Sequence, residues 1–230
     1  MNGFAKSFQG QMSESFLTAG VLSLAGGLQD VYTYISRGGV FANAQTGNIV
    51  LLSQCVGKQD WAAATRYLIP VLSFALGVAI AEEIHQFCRS ARRLHWRQVV
   101  LMVEIVLLLI VGFLPNTRNL LANAVVSFSC AMQVQAFRKV NGYAFASTMC
   151  IGNIRSGMEA LCAYQRTRNP QILHKAGAYF GIIFLFALGA GLGGCLLPIF
   201  GQGTIWCACL LLFVGFLLMF IPEEENQHHE

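Results

Sequence analysis

Between Ala176 and Pro222 the chain reads AGAYFGIIFLFALGAGLGGCLLPIFGQGTIWCACLLLFVGFLLMFIP, and none of these residues is charged. Stretches of about 20 apolar residues match the hydrocarbon thickness of a bilayer. The same bias runs through the whole chain, of which 55% is hydrophobic and only 11% charged. Soluble proteins are roughly 25% charged, and a chain of 230 residues has too little interior to bury so much apolar surface. The sequence therefore predicts a polytopic membrane protein.

Composition and charge exclude several other classes of protein. A disordered, collagen-like or nucleic-acid-binding chain requires a very different composition. The net charge of +4 comes from short loops, so it bears on orientation in the membrane and not on binding to acidic polymers. The 8 cysteines lie mostly inside apolar runs and form no CxxC pair, which predicts buried apolar side chains. We expect no cofactor, no metal site and no nucleic-acid partner.

Eight apolar segments alternate with short connectors that carry Arg, Lys, Gly, Pro or Asn. No long linker or soluble domain separates them, so we predict a single polytopic membrane domain over residues 1–230. In chain order the segments are Phe16–Ser36, Val40–Cys55, Tyr67–Phe87, Val99–Leu114, Leu120–Phe137, Tyr143–Tyr164, Ala176–Phe200 and Ile205–Ile221.

Short motifs in the first half of the chain recur in the second half. Gly47-Asn48-Ile49 recurs as Gly152-Asn153-Ile154, and Phe74-Ala75-Leu76-Gly77 recurs as Phe186-Ala187-Leu188-Gly189. Further upstream, Gln29, Gly38, Phe41 and Ala42 match Gln133, Gly142, Phe145 and Ala146. Ordered matches in equivalent segments predict a duplication. The first repeat covers about residues 16–114 and the second about residues 120–221.

The distribution of Arg and Lys favours six crossings over eight. If all eight segments cross, the loop Arg and Lys residues divide evenly between the two sides. If the second and sixth segments enter and return, most of these residues fall on the side of the N-terminus, as expected for a cytoplasmic face. We therefore predict an all-α integral membrane protein with six full spans and two broken or re-entrant segments. The two repeats are then inverted and both termini are cytoplasmic; eight spans are the alternative.

The second segment is unusually polar for a membrane span. Residues Gly38–Asn48 include three glycines and several hydrogen-bonding side chains. Lipid cannot satisfy amide groups, and glycine lowers helix stability by about 1 kcal/mol relative to alanine. These properties predict broken backbone that faces a protein-lined or wet cavity; the alternative is that the amides only hold helices together. The candidate site residues in this segment are Asn43, Gln45, Thr46, Gly47 and Asn48.

Asp30 is a carboxylate within the apolar first segment. Such a group costs roughly 2.5 to 3.5 kcal/mol at the centre of a membrane helix, so it is a functional candidate by default. Burial favours the neutral form of a carboxylate, which predicts a role in binding a proton or a cation. The alternative is that Asp30 caps the broken backbone around Gly38–Thr46 or pairs with Arg37.

The second half carries a different polar set, with Val134 in the place of Asp30. Arg155 and Asp30 together would hold a zwitterionic or anionic solute or neutralise each other; Arg155 pairing with Glu159, or reaching the membrane surface, is the alternative. Glu104 lies only about one and a half turns into its helix, so we expect it to reach the surface. The candidate site residues in this half are Gln133, Arg138, Thr148, Asn153 and Arg155.

These motifs resemble those of the YoaK-like family of bacterial integral membrane proteins. The resemblance rests on the glycine-rich stretch Gly26–Asp30, on Gly39–Asn48, and on a second-half pattern that includes Met132-Gln133. Ile151 stands where the family usually has threonine. The resemblance covers nearly the whole chain and implies a multi-pass protein of the bacterial inner membrane with six helices. It implies little about the substrate.

The sequence as a whole predicts a membrane transporter or channel-like permease for a small polar solute or ion. The binding site is expected where the two repeats meet, as in other duplicated transporters, with proton coupling through Asp30. The alternatives are a membrane-embedded enzyme acting on a lipid or isoprenoid substrate, and a structural or regulatory membrane subunit. No nucleophile–base pair or phosphate-binding loop is recognisable, so we expect no enzymatic activity. The expected partners are the lipid bilayer, the solute and a second copy in a homodimer.

Overall fold

The computed structural model of the chain describes residues 15–90, 96–140, 143–144 and 148–220. In these residues the fold is helical apart from one two-residue strand pair, which confirms the all-α prediction. The α-helices are α1 (Phe16–Ser36), α2 (Gln45–Gly57), α3 (Trp61–Ser90), α4 (Trp96–Gly112), α5 (Asn119–Ala136), α6 (Cys150–Thr167), α7 (Pro170–Phe200) and α8 (Ile205–Leu218). Short 3-10 helices span Asn116–Arg118 and Gly201–Thr204, and strands β1 (Lys139–Val140) and β2 (Tyr143–Ala144) pair antiparallel.

The second and sixth segments begin later than the sequence suggested. Helix α2 begins at Gln45 instead of Val40, because Gly38 and Gly39 adopt positive φ angles of 91° and 77° and turn the chain back. Left-handed backbone of this kind favours glycine, which has no Cβ to clash. Helix α6 begins at Cys150 instead of Tyr143 because the preceding chain pairs in the short β-hairpin. Both segments are therefore helical only in part.

Helices α3 and α7 are longer than expected because each begins at a polar cap upstream of its apolar run. The carboxylate of Asp60 accepts a hydrogen bond from the Ala63 amide at 2.9 Å. The side chain of Asn169 accepts one from the Gln171 amide at 2.9 Å, and Pro170 follows it in the first helical turn. Such side chains satisfy amide groups that have no partner inside the helix.

Pairs of contacting residues establish the relative directions of the helices. From one contacting pair to the next, both residue numbers increase when the two helices are parallel. One number increases while the other decreases when they are antiparallel. The pairs are Phe16–Gly181 and Leu28–Gly193 for α1 with α7, Leu22–Gln133 and Arg37–Asn123 for α1 with α5, Gly77–Phe128 and Glu82–Gln135 for α3 with α5, Gln29–Glu104 and Arg37–Val111 for α1 with α4, and Ile105–Cys209 and Leu109–Trp206 for α4 with α8. Helices α1, α4 and α7 therefore run in one direction, and α3, α5 and α8 run in the other.

The packing follows one pattern in both halves. Helix α1 packs against α7 and α8, as α5 packs against α3 and α4, while α2 packs on α3 and α6 packs on α7. The recurring Phe-Ala-Leu-Gly motif makes equivalent contacts, since Gly77 lies against the carbonyl oxygen of Phe128 and Gly189 against that of Leu24. Leu24 and Phe128 occupy equivalent positions when Gln29 is aligned with Gln133.

Helices α2 and α6 begin near the middle of the bundle and run to opposite ends. Asn43, just before α2, contacts Asp30 and Gly26 halfway along α1, and Thr148, just before α6, packs on the same Gly26. Each helix then joins the next through a tight turn, α2 to the antiparallel α3 and α6 to the antiparallel α7. Because α3 and α7 run in opposite directions, α2 and α6 also do.

Two helical stretches within the described residues are long and apolar enough to cross a membrane, judged by length and composition. They are Trp61–Cys88 and Pro170–Leu218, and the second contains α7, a 3-10 turn and α8.

Candidate functional site

The loop between α1 and α2 folds back along the last two turns of α1. The Gly39 amide donates to the carbonyl of Tyr34 at 3.0 Å. The ring of Phe41 then stacks on the ring of Tyr34, with 4.5 Å between the centroids. The loop therefore descends from the end of α1 towards its middle before α2 begins.

Asn48 and Gln45 hold this loop in shape. The Asn48 side chain donates to the Phe41 carbonyl at 2.7 Å and accepts from the Phe41 amide at 3.1 Å. It also donates to the Gln45 side chain, which itself donates to the Ala42 carbonyl. The Asn48 amide group is buried, and its oxygen and nitrogen are both engaged within the loop. For these two residues the geometry matches the structural alternative, in which the amides hold protein segments together.

The end of the loop nearest α2 is held to α1 by a contact between Asn43 in the loop and Asp30 on the helix. The Asn43 amide donates to the Asp30 carboxylate at 2.8 Å, and the Asn43 side chain donates to the Gly26 carbonyl at 3.3 Å. Asp30 and Asn43 are both buried. Asp30 thus caps the broken backbone as the sequence allowed, and its other proposed partner, Arg37, binds elsewhere.

Thr148 brings the second half of the chain to the same place. Its methyl group packs so closely on Gly26 that a side-chain carbon added to Gly26 would collide with it. The segment before α2 and the segment before α6 therefore both contact α1 at Gly26.

Two buried oxygen atoms at this meeting point have no hydrogen-bond partner. They are the side-chain carbonyl oxygen of Asn43 and the hydroxyl oxygen of Thr148. Buried polar groups are almost always hydrogen-bonded, and each exception calls for an explanation such as a bound water or ligand. We call the surroundings of Gly26, with Asp30, Asn43 and Thr148, the central polar site.

Glu104 is a second buried carboxylate, although we expected it to reach the surface. Glu104 is fully buried and accepts a hydrogen bond from the Gln29 side chain at 3.2 Å. The Cys130 thiol donates to the side-chain oxygen of Gln29 at 2.6 Å. The prediction that Glu104 reaches the surface was wrong because α4 packs inside the bundle beside α1 and α5. Its isolation as the only charge between Gln98 and Thr117 was the available sequence signal.

Arg37 is also buried, and it binds backbone instead of Asp30. Its guanidinium donates to the carbonyl oxygens of Val111 and Pro115 at the end of α4, at 3.1 and 3.3 Å. It donates as well to the Tyr32 hydroxyl and to the Asn119 side chain. A cation at the C-terminus of a helix is favoured by the helix dipole.

Three of the candidate residues lie outside the central polar site. Thr46 is exposed on α2, and Arg138 is exposed beyond the end of α5. Arg155 is exposed on α6 and forms an ion pair with Glu159 at 2.9 Å. This is the pairing that the sequence offered as the alternative to a contact with Asp30. Side chains four apart in a helix meet naturally, whereas reaching Asp30 would require Arg155 to lie on the other face of α6.

The other candidates lie in or beside the core. Gln133 is buried and donates to the Leu22 carbonyl, and Asn153 is buried in the first turn of α6. Gly47 packs against the ring of Phe41. The structure therefore brings Asp30, Asn43 and Thr148 together, with the remaining buried residues supporting them.

Comparisons with known proteins agree with the motifs. The family described as "Protein of unknown function (DUF1275)" matches residues 18–218. The UPF0700 transmembrane protein YoaK of Bacillus subtilis (strain 168) is 27% identical over 202 residues, which cover 84% of this chain and 88% of that protein. No solved structure matches the chain. The YoaK-like resemblance is thus confirmed, and the chain belongs to the DUF1275 family.

Proposed function

We propose that the chain is a membrane permease for a small polar solute or ion, with its binding site at the central polar site. The observation that carries this proposal is the meeting of two half-length helical segments beside Gly26, where two buried oxygens lack partners. Transporters place substrates at the junction of broken helices near the bilayer midplane.

The helix directions support a chain that crosses the membrane six times. Helices α1, α3, α4, α5, α7 and α8 alternate in direction along the sequence, and α2 and α6 each enter from one end and return to it. Each helix of the first half has a counterpart in the second half that makes the equivalent contacts and runs in the opposite direction. The two halves are then inverted repeats. The relative named above as a transmembrane protein supports the location in a membrane.

The charges support an orientation with both termini in the cytoplasm of a bacterial inner membrane. Basic residues cluster at the end of the bundle where α1 begins and α8 ends, and fewer lie at the other end. This is the asymmetry expected for cytoplasmic loops. By sequence order, the connectors that this arrangement assigns to the first end carry Lys6, Arg89, Arg92, Arg93, Arg97, Arg138, Lys139, Arg166, Arg168 and Lys175, and those of the second end carry Arg37, Lys58, Arg66 and Arg118.

The mechanism follows from the hydrogen bond between Asp30 and the Asn43 amide. A carboxylate accepts this bond strongly when it is charged. Protonation of Asp30, or binding of a cation beside it, weakens its hold on the loop before α2. Because that loop forms one wall of the central polar site, a change in its position opens or closes the path from one side of the membrane.

Transport can be tested with a panel of small polar solutes that includes cations, anions and neutral molecules. Proteoliposomes would be mixed with each solute and followed by stopped-flow light scattering at two pH values. We expect at least one solute to enter faster than into protein-free liposomes, and Asp30→Asn to change both its rate and its pH dependence. Asp60→Asn is the matched control, because Asp60 caps α3 at the surface. A folded protein that admits no solute would overturn the proposal.

We also propose that the chain forms a homodimer through the outer face of α6. Helix α6 packs on α7 and leaves Arg155 and Glu159 exposed, in the half of the bundle that the six-crossing arrangement places within lipid. Charged side chains and irregular backbone are tolerated at that depth only against protein or water. A face with one cation and one anion is self-complementary under a two-fold axis, so a second copy satisfies both charges.

A further inference from the structure

The hydrogen-bonding groups that remain open at the central polar site are oxygens. The Asn43 side-chain nitrogen donates to the Gly26 carbonyl, and the side-chain oxygen has no partner. The Thr148 hydroxyl oxygen has no partner either. Asn43 is 5% exposed and Thr148 8% exposed, so bulk water does not explain how these atoms are satisfied. The amide oxygen only accepts and the hydroxyl both donates and accepts, so a ligand that donates hydrogen bonds satisfies both atoms.

The charge of the site is negative. Asp30 lies one helical turn from Gly26, and no lysine or arginine in the described part of the chain forms a salt bridge with it. The two arginines that the sequence offered as partners of Asp30 are engaged elsewhere: Arg37 on the carbonyls that end α4, and Arg155 on Glu159. The start of α2 offers the partial positive charge of a helix N-terminus, but the Asn43 amide there is already bound to Asp30.

A donor of hydrogen bonds that also carries positive charge satisfies both conditions. We infer that the central polar site binds an ammonium group, either the ammonium ion itself or a small primary amine. The ligand places its N–H groups on the free oxygens of Asn43 and Thr148 and its charge beside Asp30. An anion would meet the Asn43 oxygen, which only accepts, and the Asp30 carboxylate, which repels it. This inference rests on the proposed permease function and names the class of substrate.

Binding can be measured apart from transport by thermal unfolding of the detergent-purified protein. A ligand that binds only the native state raises its melting temperature, and the rise grows with the logarithm of the ratio of ligand concentration to Kd. The probes are methylammonium chloride, ammonium chloride, sodium chloride and potassium chloride at equal ionic strength, together with acetamide as a neutral N–H donor and sodium acetate as an acceptor. We expect methylammonium and ammonium to raise the melting temperature and the other probes to leave it unchanged.

Thr148→Val provides the sharpest variant, because valine keeps the shape and removes only the hydroxyl. We expect it to weaken methylammonium binding by about tenfold, the loss of one hydrogen bond to a charged group. The melting temperature without ligand should stay the same or rise, because the variant removes a buried hydroxyl that has no partner. Thr204→Val is the matched control, since Thr204 is buried with an unpartnered hydroxyl in the 3-10 turn between α7 and α8.

The outcomes separate this inference from the proposed function. Methylammonium binding without its flux into proteoliposomes would overturn the permease and keep the ligand class. Flux of a neutral or anionic solute, with no stabilisation by methylammonium, would keep the permease and overturn the ligand class. Stabilisation by acetamide or sodium acetate in place of ammonium would also overturn it, as would a Thr148→Val protein that binds methylammonium as tightly as the parent.

Discussion

At the scale of single residues, the polar groups of this protein divide into those that are satisfied and those that are not. Asn48, Gln45 and Arg37 use their hydrogen-bonding groups on neighbouring backbone and side chains, so they hold the α1–α2 loop and the end of α1 in place. Asn43 and Thr148 retain open oxygens. On the proposal above, the open oxygens that meet at Gly26, and not polarity alone, mark the binding site.

Glu104 provides a prediction at this scale. It is the acceptor for the Gln29 side chain in the centre of the bundle. Glu104→Ala leaves that buried amide without its partner and opens a cavity, so we expect a loss of about 1 to 3 kcal/mol in the free energy of unfolding. Glu104→Gln retains an acceptor and should lose less. The measurement is unfolding in mixed detergent micelles followed by fluorescence.

Glu159→Ala is the control for Glu104, because Glu159 lies in an exposed ion pair. Such pairs contribute about 0 to 1 kcal/mol. Equal losses for the two alanine variants would contradict the assignment of Glu104 to the core.

At the scale of helices, glycine determines how closely the bundle packs. Gly27 and Gly189 lie where α1 and α7 cross, each against a carbonyl oxygen of the other helix, and Gly77 does the same for α3 on α5. Without a hydrophobic force between helices in lipid, close backbone approach is a main source of association. The motif from which the duplication was predicted is thus the motif that joins the two halves.

Gly189→Ala and Gly191→Ala form a matched pair on α7. A methyl group at Gly189 would collide with the Leu24 backbone, whereas one at Gly191 would meet open space. We expect the first change to lower the free energy of unfolding by about 1 to 3 kcal/mol through overpacking. The second should be neutral or stabilise by up to about 1 kcal/mol through helix propensity. The same unfolding assay measures both, and a Gly189→Ala protein as stable as the parent would refute the contact.

At the scale of the whole molecule, the six-crossing arrangement places the α2–α3 turn and the α6–α7 turn on opposite sides of the membrane. An eight-crossing arrangement places both on the same side. We predict that a cysteine at Gln59 reacts with a membrane-impermeant maleimide in intact cells and that one at Arg168 reacts only after lysis. The background would carry serine at Cys162 and Cys195, the exposed cysteines of the described residues. Labelling of both positions from one side would refute the inverted repeats.

The proposed homodimer can be tested by disulfide cross-linking through a native cysteine. Cys162 is exposed on α6, two turns from Arg155 and on the same face as Glu159. If two copies meet through this face, mild oxidation of membranes should give a disulfide-linked dimer on a non-reducing gel. Cys162→Ser should abolish that band, while Cys195→Ser, on α7, should leave it. A parent protein that stays monomeric after oxidation in membranes and elutes as a monomer in mild detergent would contradict the dimer.

Composition and charge by themselves predicted a membrane protein, and the relative named as a transmembrane protein supports that class. The apolar runs match a bilayer in length, and the order of the motifs predicted two copies of one unit. The glycines and amides of residues 38–48 also predicted interrupted helix, because lipid cannot satisfy free backbone. These are local properties, so they can be recognised in one sequence.

Only the tertiary structure decided which polar residues face one another. It buried Glu104 and Arg37, turned Arg155 towards Glu159, and brought Asn43 and Thr148, from opposite halves of the chain, to the same glycine. The reason is geometric: the direction of a side chain depends on the rotation of its helix against neighbours far away in sequence. Sequence periodicity is weak here because helices apolar on every side carry no mark of their inner face.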